Sequence, residues 1–238
     1  MIDANSLLRN LPAALDRKQA VFLDGIRHSA EIASLAYERL KRALTEVARK
    51  EARPEAQEFT GIFLDAWAIV DAIDRFQALW KLQPYAENLP KRDVIKDFGS
   101  IRNLRNVADH LAGRMDYVIS RKGTALGSLK WLTWIEDSRF LGCIILPGTF
   151  QSSKVDFQYP VGKTIELPTG FITLSAGEHE VVLGEALSSV ESYVRIIERL
   201  LAHELDKNNL HDKSAGSDFI FKAIIDFGGN IASVEKSE

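Results

Sequence analysis

Val94-Ile95-Lys96-Asp97-Phe98-Gly99-Ser100-Ile101-Arg102-Asn103-Leu104-Arg105-Asn106-Val107-Ala108-Asp109-His110-Leu111 is the stretch that decides the fold class of this chain. Val94, Phe98, Ile101, Leu104, Ala108 and Leu111 recur at three and four, the repeat of one face of an α-helix, and Met115 and Val118 continue the pattern. The spacing predicts a helix over about 91–120. Two similar stretches precede it. In 18–51 the stripe is Phe22, Ile26, Ala30, Ala33, Tyr37, Leu40, Leu44 and Val47, and Arg53-Pro54 breaks it, because a residue before proline resists the α conformation. In 55–82 the stripe is Phe59, Ile62, Phe63, Ala66, Ile69, Val70, Ile73, Phe76 and Trp80, ended by Gln83-Pro84. Residues 84–90, with two prolines and an asparagine, read as a loop. Three amphipathic helices joined by short loops pack as an antiparallel bundle.

Downstream the helical period is lost from Gly123 to Gly184. Short apolar runs lie there between glycines and prolines: Leu129–Trp134, Phe140–Leu146, Val155–Tyr159, Thr164–Leu167, Phe171–Leu174 and Glu180–Leu183. They predict a small antiparallel sheet over 123–184. A fourth helix follows over about 185–206, its apolar face made by Leu187, Val190, Val194, Ile197, Leu201 and Leu205. Residues 207–217 read as a polar linker within a 207–238 tail, whose segment 219–227 is too apolar to stay in water. The expected architecture is mainly α with a smaller β part: three bundle helices in 18–120, a strand-rich insertion in 123–184, and the fourth bundle helix in 185–206.

A chain of 238 residues has length enough to bury a real core, as one elaborated domain or two small ones. Its formal net charge of -3 excludes a global basic field, although 30 lysines and arginines leave room for a local basic site. The single cysteine, Cys143, forms no internal disulfide and no CxxC metal pair, and its apolar neighbours favour a buried small hydrophobe over a reactive thiol. The start has no signal-peptide pattern, and no apolar run approaches the roughly 20 residues of a membrane helix, so the cytoplasm is the expected location and no membrane partner is expected.

Several fragments of motifs are incomplete. Gly162-Lys163-Thr164 resembles the end of a phosphate loop, but Phe157 stands where the first glycine is required, and Tyr159-Pro160-Val161-Gly162 reads as a hairpin turn. His203-Glu204 opens like a zinc-protease helix, but Lys207 replaces the second histidine. His28, His179 and His211 have no sequence neighbours at ligand spacing, so no metal and no cofactor is expected. Asp71 and Arg75, four apart, read as a helical ion pair. Trp131 and Trp134 are able to stack on bases, but between strand-like residues core or interface packing is the simpler account.

The segment Arg105 to His110 carries the strongest chemical signal. Arg102, Asn106 and His110 follow one another at four-residue spacing, a polar stripe beside the buried one, and the long side chain of Arg105 reaches the same patch. One reading is an exposed face braced by ion pairs, since Asp109 is four residues after Arg105 and Arg114 four after His110. That reading accounts less well for Asn106, a mediocre helix former. The other reading is chemical. An arginine fork holds a phosphate, a histidine moves a proton near neutral pH, and an amide one turn away orients the imidazole. Those three functions suffice to drive the attack of a ribose 2′-hydroxyl on the adjacent phosphate without a metal.

A set of long helices carrying Arg105-Asn106, three residues and then His110 resembles the HEPN superfamily (higher eukaryotes and prokaryotes nucleotide-binding), whose signature is an arginine, four to six residues and a histidine. The resemblance covers 18–120, with 185–206 as the fourth helix, and it implies an HEPN-like antiparallel helical bundle. It further implies a metal-independent endoribonuclease of toxin–antitoxin, phage-defence or RNA-processing systems. His110 is then the general acid or base, Arg105 the phosphate and transition-state ligand, Asn106 the orienting residue and Arg102 an added substrate contact. The implied partners are RNA, a second copy whose motif lines the same cleft, and an antitoxin or other protein. One toxin group carries a modified tyrosine two residues after the histidine, where this chain has Ala112; the nearest tyrosine is Tyr117. Two alternatives stand beside the enzyme: a non-catalytic HEPN-like module that binds RNA, a nucleotide or a protein, and a structural helical dimer whose motif is an ion-pair cluster.

Overall fold

The computed structural model describes residues 2–51, 54–82, 91–114, 116, 124–136, 139–148, 162–208, 218, 220–225 and 231–237. Helix α1 spans Arg17–Arg49, α2 Ala56–Lys81, α3 Lys91–Asp109 and α4 Leu183–Asn208. Strands β1 (Ser128–Glu136), β2 (Arg139–Ile145), β3 (Thr169–Ala176) and β4 (His179–Val182) lie between α3 and α4, and β5 (Ile220–Ile225) and β6 (Ile231–Ser237) close the chain.

The helices start where local chemistry satisfies their free amides. Asp16 accepts from the backbone of Lys18 and Gln19, while the Gln19 side chain returns a bond to the Asp16 amide, a capping box for α1. Glu58 serves the amide of Glu55 at the head of α2 in the same way. The apolar stripes read from the sequence are the buried faces: Ile26, Leu40, Leu44, Ile69, Ile73, Phe76, Phe98, Ile101 and Leu104 are at most 1% exposed. The helices meet at an aromatic cluster. The Phe76 ring lies 5.8 Å from Trp80, and Tyr193 of α4 lies 4.8 Å from Trp80 and 5.8 Å from Phe98 of α3. Such pairs add about 0.5–1.5 kcal/mol each beyond their buried area. They hold α3 against α2 and α4 one turn before Arg102.

The four central strands form an antiparallel sheet in the order β2-β1-β3-β4. Its inner side joins the helical core through Leu129, Trp131, Ile145, Ile172 and Leu174. A buried hydroxyl chain ties it to α1: Thr45 Oγ1, which donates to the Lys41 carbonyl, lies 2.7 Å from Thr169 Oγ1, and Thr133 Oγ1 lies 2.9 Å from the same Thr169 atom. Tyr37 and Lys41 of α1 add bonds to Glu166 at 3.2 and 2.9 Å. β5 and β6 make a separate antiparallel pair.

Two sequence expectations change. The third helix is interrupted before 120: α3 ends at Asp109, and a tight 3-10 turn, Leu111–Arg114, follows, closed by the Gly113 amide on the His110 carbonyl at 3.0 Å, while residues 115 and 117–120 lie outside the described residues. Asn106, Asp109 and Gly113 are weak helix formers, and their clustering ends the helix. Thr164–Leu167 is not a strand, because Pro168 has no amide to give a ladder and Glu166 bonds α1 instead. The run Val155–Tyr159, the turn to Val161, Phe157, Tyr117 and His211 lie outside the described residues. Within the apolar tail, Ile220–Ile225 form β5, paired with β6. Residues 2–11, unread in the sequence, bury Ile2, Leu8 and Leu11, and Ser6 bonds Glu198 of α4. No helix among the described residues is long and apolar enough to cross a membrane.

Candidate active site

The centre of the polar cluster is Asp74. This residue sits on α2 between Ile73 and Phe76, and its side chain is 1% exposed. A carboxylate buried that far is costly unless opposite charges meet it. Two do, both from α3. Arg102 Nη1 donates to Asp74 Oδ1 at 3.2 Å, and Arg105 Nη1 donates to Asp74 Oδ2. The Arg102 side chain is 51% exposed and that of Arg105 39%, so each guanidinium keeps a face toward solvent. The bond to Asp74 pushes Arg105 above the ordinary arginine range, and the nearby charges of Asp109 and Asp71 act in the same direction.

Two exposed carboxylates complete the ring. Arg105 Nε is 3.3 Å from Asp71 and 3.5 Å from Asp109. The i,i+4 pair of Arg105 and Asp109 is therefore formed. Asp71 turns across to Arg105 rather than along its own helix to Arg75, because a guanidinium already fixed by Asp74 is presented to it.

His110 follows directly. It is exposed, in the turn that ends α3, with its amide bonded to the Asn106 carbonyl at 3.3 Å. Among the described residues its ring has no hydrogen-bond or ion-pair partner. Asn106 is half-buried, and its amide makes no bond to the imidazole. The structure thus brings Arg102 and Arg105 together on one anchor, places His110 at the helix end beyond them, and leaves Asn106 one turn from His110 with no hydrogen bond between their side chains. Asp74 was missed in the sequence. Its signal was an aspartate inside the apolar stripe Val70, Ile73, Phe76, where only a paired charge is stable.

The remaining sequence candidates resolve into structural roles. Trp131 is 2% exposed, in the core, whereas Trp134 is 39% exposed. Gly162 makes a turn at φ 77° and Lys163 pairs with Glu185 in the first turn of α4, which is not a phosphate loop. Cys143 is half-buried, and burial raises its thiol to about 11. His28 does gain neighbours that the sequence could not pair: ligand atoms of Asp24, His28 and Asp218 lie within 4.8 Å of one another. Arg27 Nη2 occupies their centre, 2.9 Å from Asp24, 2.8 Å from His28 and 2.7 Å from Asp218. The chain's own cation therefore holds this cluster.

Comparison with protein-family models, with curated proteins and with solved structures returns no match for this chain.

Proposed function

We propose that this chain is an HEPN-like endoribonuclease that cleaves RNA without a metal. The observation that carries the reading is the seating of Arg102 and Arg105 on buried Asp74, just before an exposed histidine at the end of the same helix. A guanidinium fixed from behind is pre-organised, so less entropy is lost when its free face meets a phosphate. In the proposed reaction the ribose 2′-oxygen attacks phosphorus and loses its proton, the bond to the 5′-oxygen breaks, and that oxygen gains a proton. The products are a 2′,3′-cyclic phosphate and a 5′-hydroxyl. His110 performs one of these proton transfers, Arg105 with Arg102 stabilises the charge on the phosphoryl oxygens, and Asn106 is available to orient the imidazole once substrate is bound. A second copy, RNA and an antitoxin or other protein are the proposed partners, in a toxin–antitoxin, defence or RNA-processing setting.

The test is incubation of the purified protein with mixed single-stranded RNA in EDTA, beside His110→Ala and Arg105→Ala. Cleavage to cyclic-phosphate ends that both variants lose supports the enzyme; RNA left intact by the wild type refutes it.

One observation favours the non-catalytic reading. Arg105 already lies within ion-pair distance of three carboxylates, so it is able to serve as a brace between α2 and α3. Binding of RNA, a nucleotide or a protein without cleavage, unaffected by His110→Ala, is the outcome that reading requires.

A further inference from the structure

The C-terminal part of α1 and the N-terminal part of α2 leave a groove of about 300 Å³ between them. That volume is at the lower end of ligand-pocket sizes. The floor of the groove is apolar: Ile62 is 1% exposed, and Ala43 and Val47 pack against the core from its edge. Its middle is open because residue 61 of α2 is a glycine. A Cβ added there meets nothing within 4 Å, so no neighbour requires the small residue. Inside a helix glycine is the least favourable residue after proline. Packing therefore does not account for Gly61, whereas room for an occupant does.

The walls of the groove are charged. Asp65 is 7% exposed and has one ion pair, with Arg39 Nη2 at 3.2 Å from Oδ1. Burial holds its carboxyl above the ordinary aspartate value in spite of that pair, so the carboxylate is short of donors. Glu58 pairs with Lys50. Arg42 and Glu46 also line the groove, and they lie four apart on α1, the spacing of a helical ion pair. Both are exposed, yet among the described residues neither side chain has an ion-pair or hydrogen-bond partner. With Lys50 counted, the charges around the groove balance. A simple ion of either sign leaves one of the two free groups unmet, whereas a molecule that carries both signs meets both. We infer that this groove binds a free α-amino acid with an aliphatic side chain about the size of leucine. Its carboxylate takes the fork of Arg42, and its ammonium donates to Glu46 and to buried Asp65. Its side chain lies over Gly61 on Ala43, Val47 and Ile62.

The groove is on the side of α2 that meets α1, whereas Asp74 turns to α3, so it is separate from the candidate active site and does not rest on the ribonuclease reading. The experiment is isothermal titration calorimetry of the full chain with L-leucine, beside L-leucinamide, which lacks the carboxylate, and isocaproate, which lacks the amine. The expected result is one leucine per chain, with each analogue at least about tenfold weaker. Arg42→Gln and Glu46→Gln, both at exposed positions, weaken leucine binding by at least about tenfold and leave the melting temperature of the free protein unchanged. Gly61→Leu fills the groove with a better helix former, and it abolishes binding without lowering the melting temperature. No binding of leucine by the wild type overturns the inference. So does binding that persists in Gly61→Leu, or an analogue bound as tightly as leucine. The two rim variants are the readout that stands even if Gly61→Leu fails to fold: leucine bound as tightly by both as by the wild type also overturns the assignment.

Discussion

Arg105 on α3 donates through Nη1 to Oδ2 of Asp74 on α2, a carboxylate that is 1% exposed and also accepts from Arg102. The helix that carries the candidate chemistry is thereby pinned to its neighbour at the residues that carry it.

Asp74→Asn keeps the shape and removes the charge on which both arginines sit. Hydrogen bonds to charged groups contribute roughly 1.5–3 kcal/mol, and the half-exposed arginines recover part of that from water, so the variant loses about 1–3 kcal/mol. Urea unfolding reads this as a lower midpoint at unchanged slope. Asp71→Asn, at a position 56% exposed, changes stability by no more than about 0.5 kcal/mol.

His110→Ala separates chemistry from folding. The ring is exposed and without a partner among the described residues, so its removal shifts the unfolding midpoint by no more than about 0.5 kcal/mol. General acid–base groups supply roughly 10²–10⁴-fold in rate, and cleavage of a defined RNA by the variant falls by at least about 10². Equal losses of stability and cleavage contradict the assigned role.

Asp65 on α2 gives a pH dependence of definite sign. Burial raises its carboxyl above the ordinary aspartate value, against the opposing pull of Arg39 at 3.2 Å. The folded pKa then exceeds the unfolded one, so this group favours the folded state below both values. That contribution is lost as pH rises through the folded pKa. Asp65→Asn therefore stabilises the protein at pH 7. The gain shrinks as pH falls toward the carboxylate range, followed by denaturant midpoints at several pH values.

Thr169→Val cuts the hydroxyl chain between sheet and bundle. Thr169 is 0% exposed and bonds both Thr45 and Thr133. Thr45 keeps its bond to the Lys41 carbonyl at 2.7 Å, but the Thr133 hydroxyl is left buried with its partner gone. The expected cost is about 1–3 kcal/mol, measured by thermal or urea unfolding.

The four helices, the four strands of the central sheet and the buried identity of Trp131 were all legible in the chain. Each follows from a local rule, since apolar spacing of three and four or of two states which face a segment must bury whatever it packs against. The Arg105–Asp109 pair was legible for the same reason: both partners sit on one helix. The early end of α3 at Asp109 was readable in principle from Asn106, Asp109 and Gly113, but the apolar period ran on past them and masked the stop.

Sequence alone determined a mainly helical chain with a small antiparallel sheet, and it put Arg102, Arg105 and Asn106 on one helix, while His110 lies just past its end. Only the tertiary structure decided that Asp74 lies beneath both arginines, that Asp71 faces Arg105 rather than Arg75, and that Asp218 meets Arg27 and His28 across 190 residues of chain. Spacing states which side a residue faces, but not what it meets there. The register and crossing of α2 against α3 follow from interlocking Phe76, Trp80, Phe98 and Tyr193, a property of four side chains from three helices together.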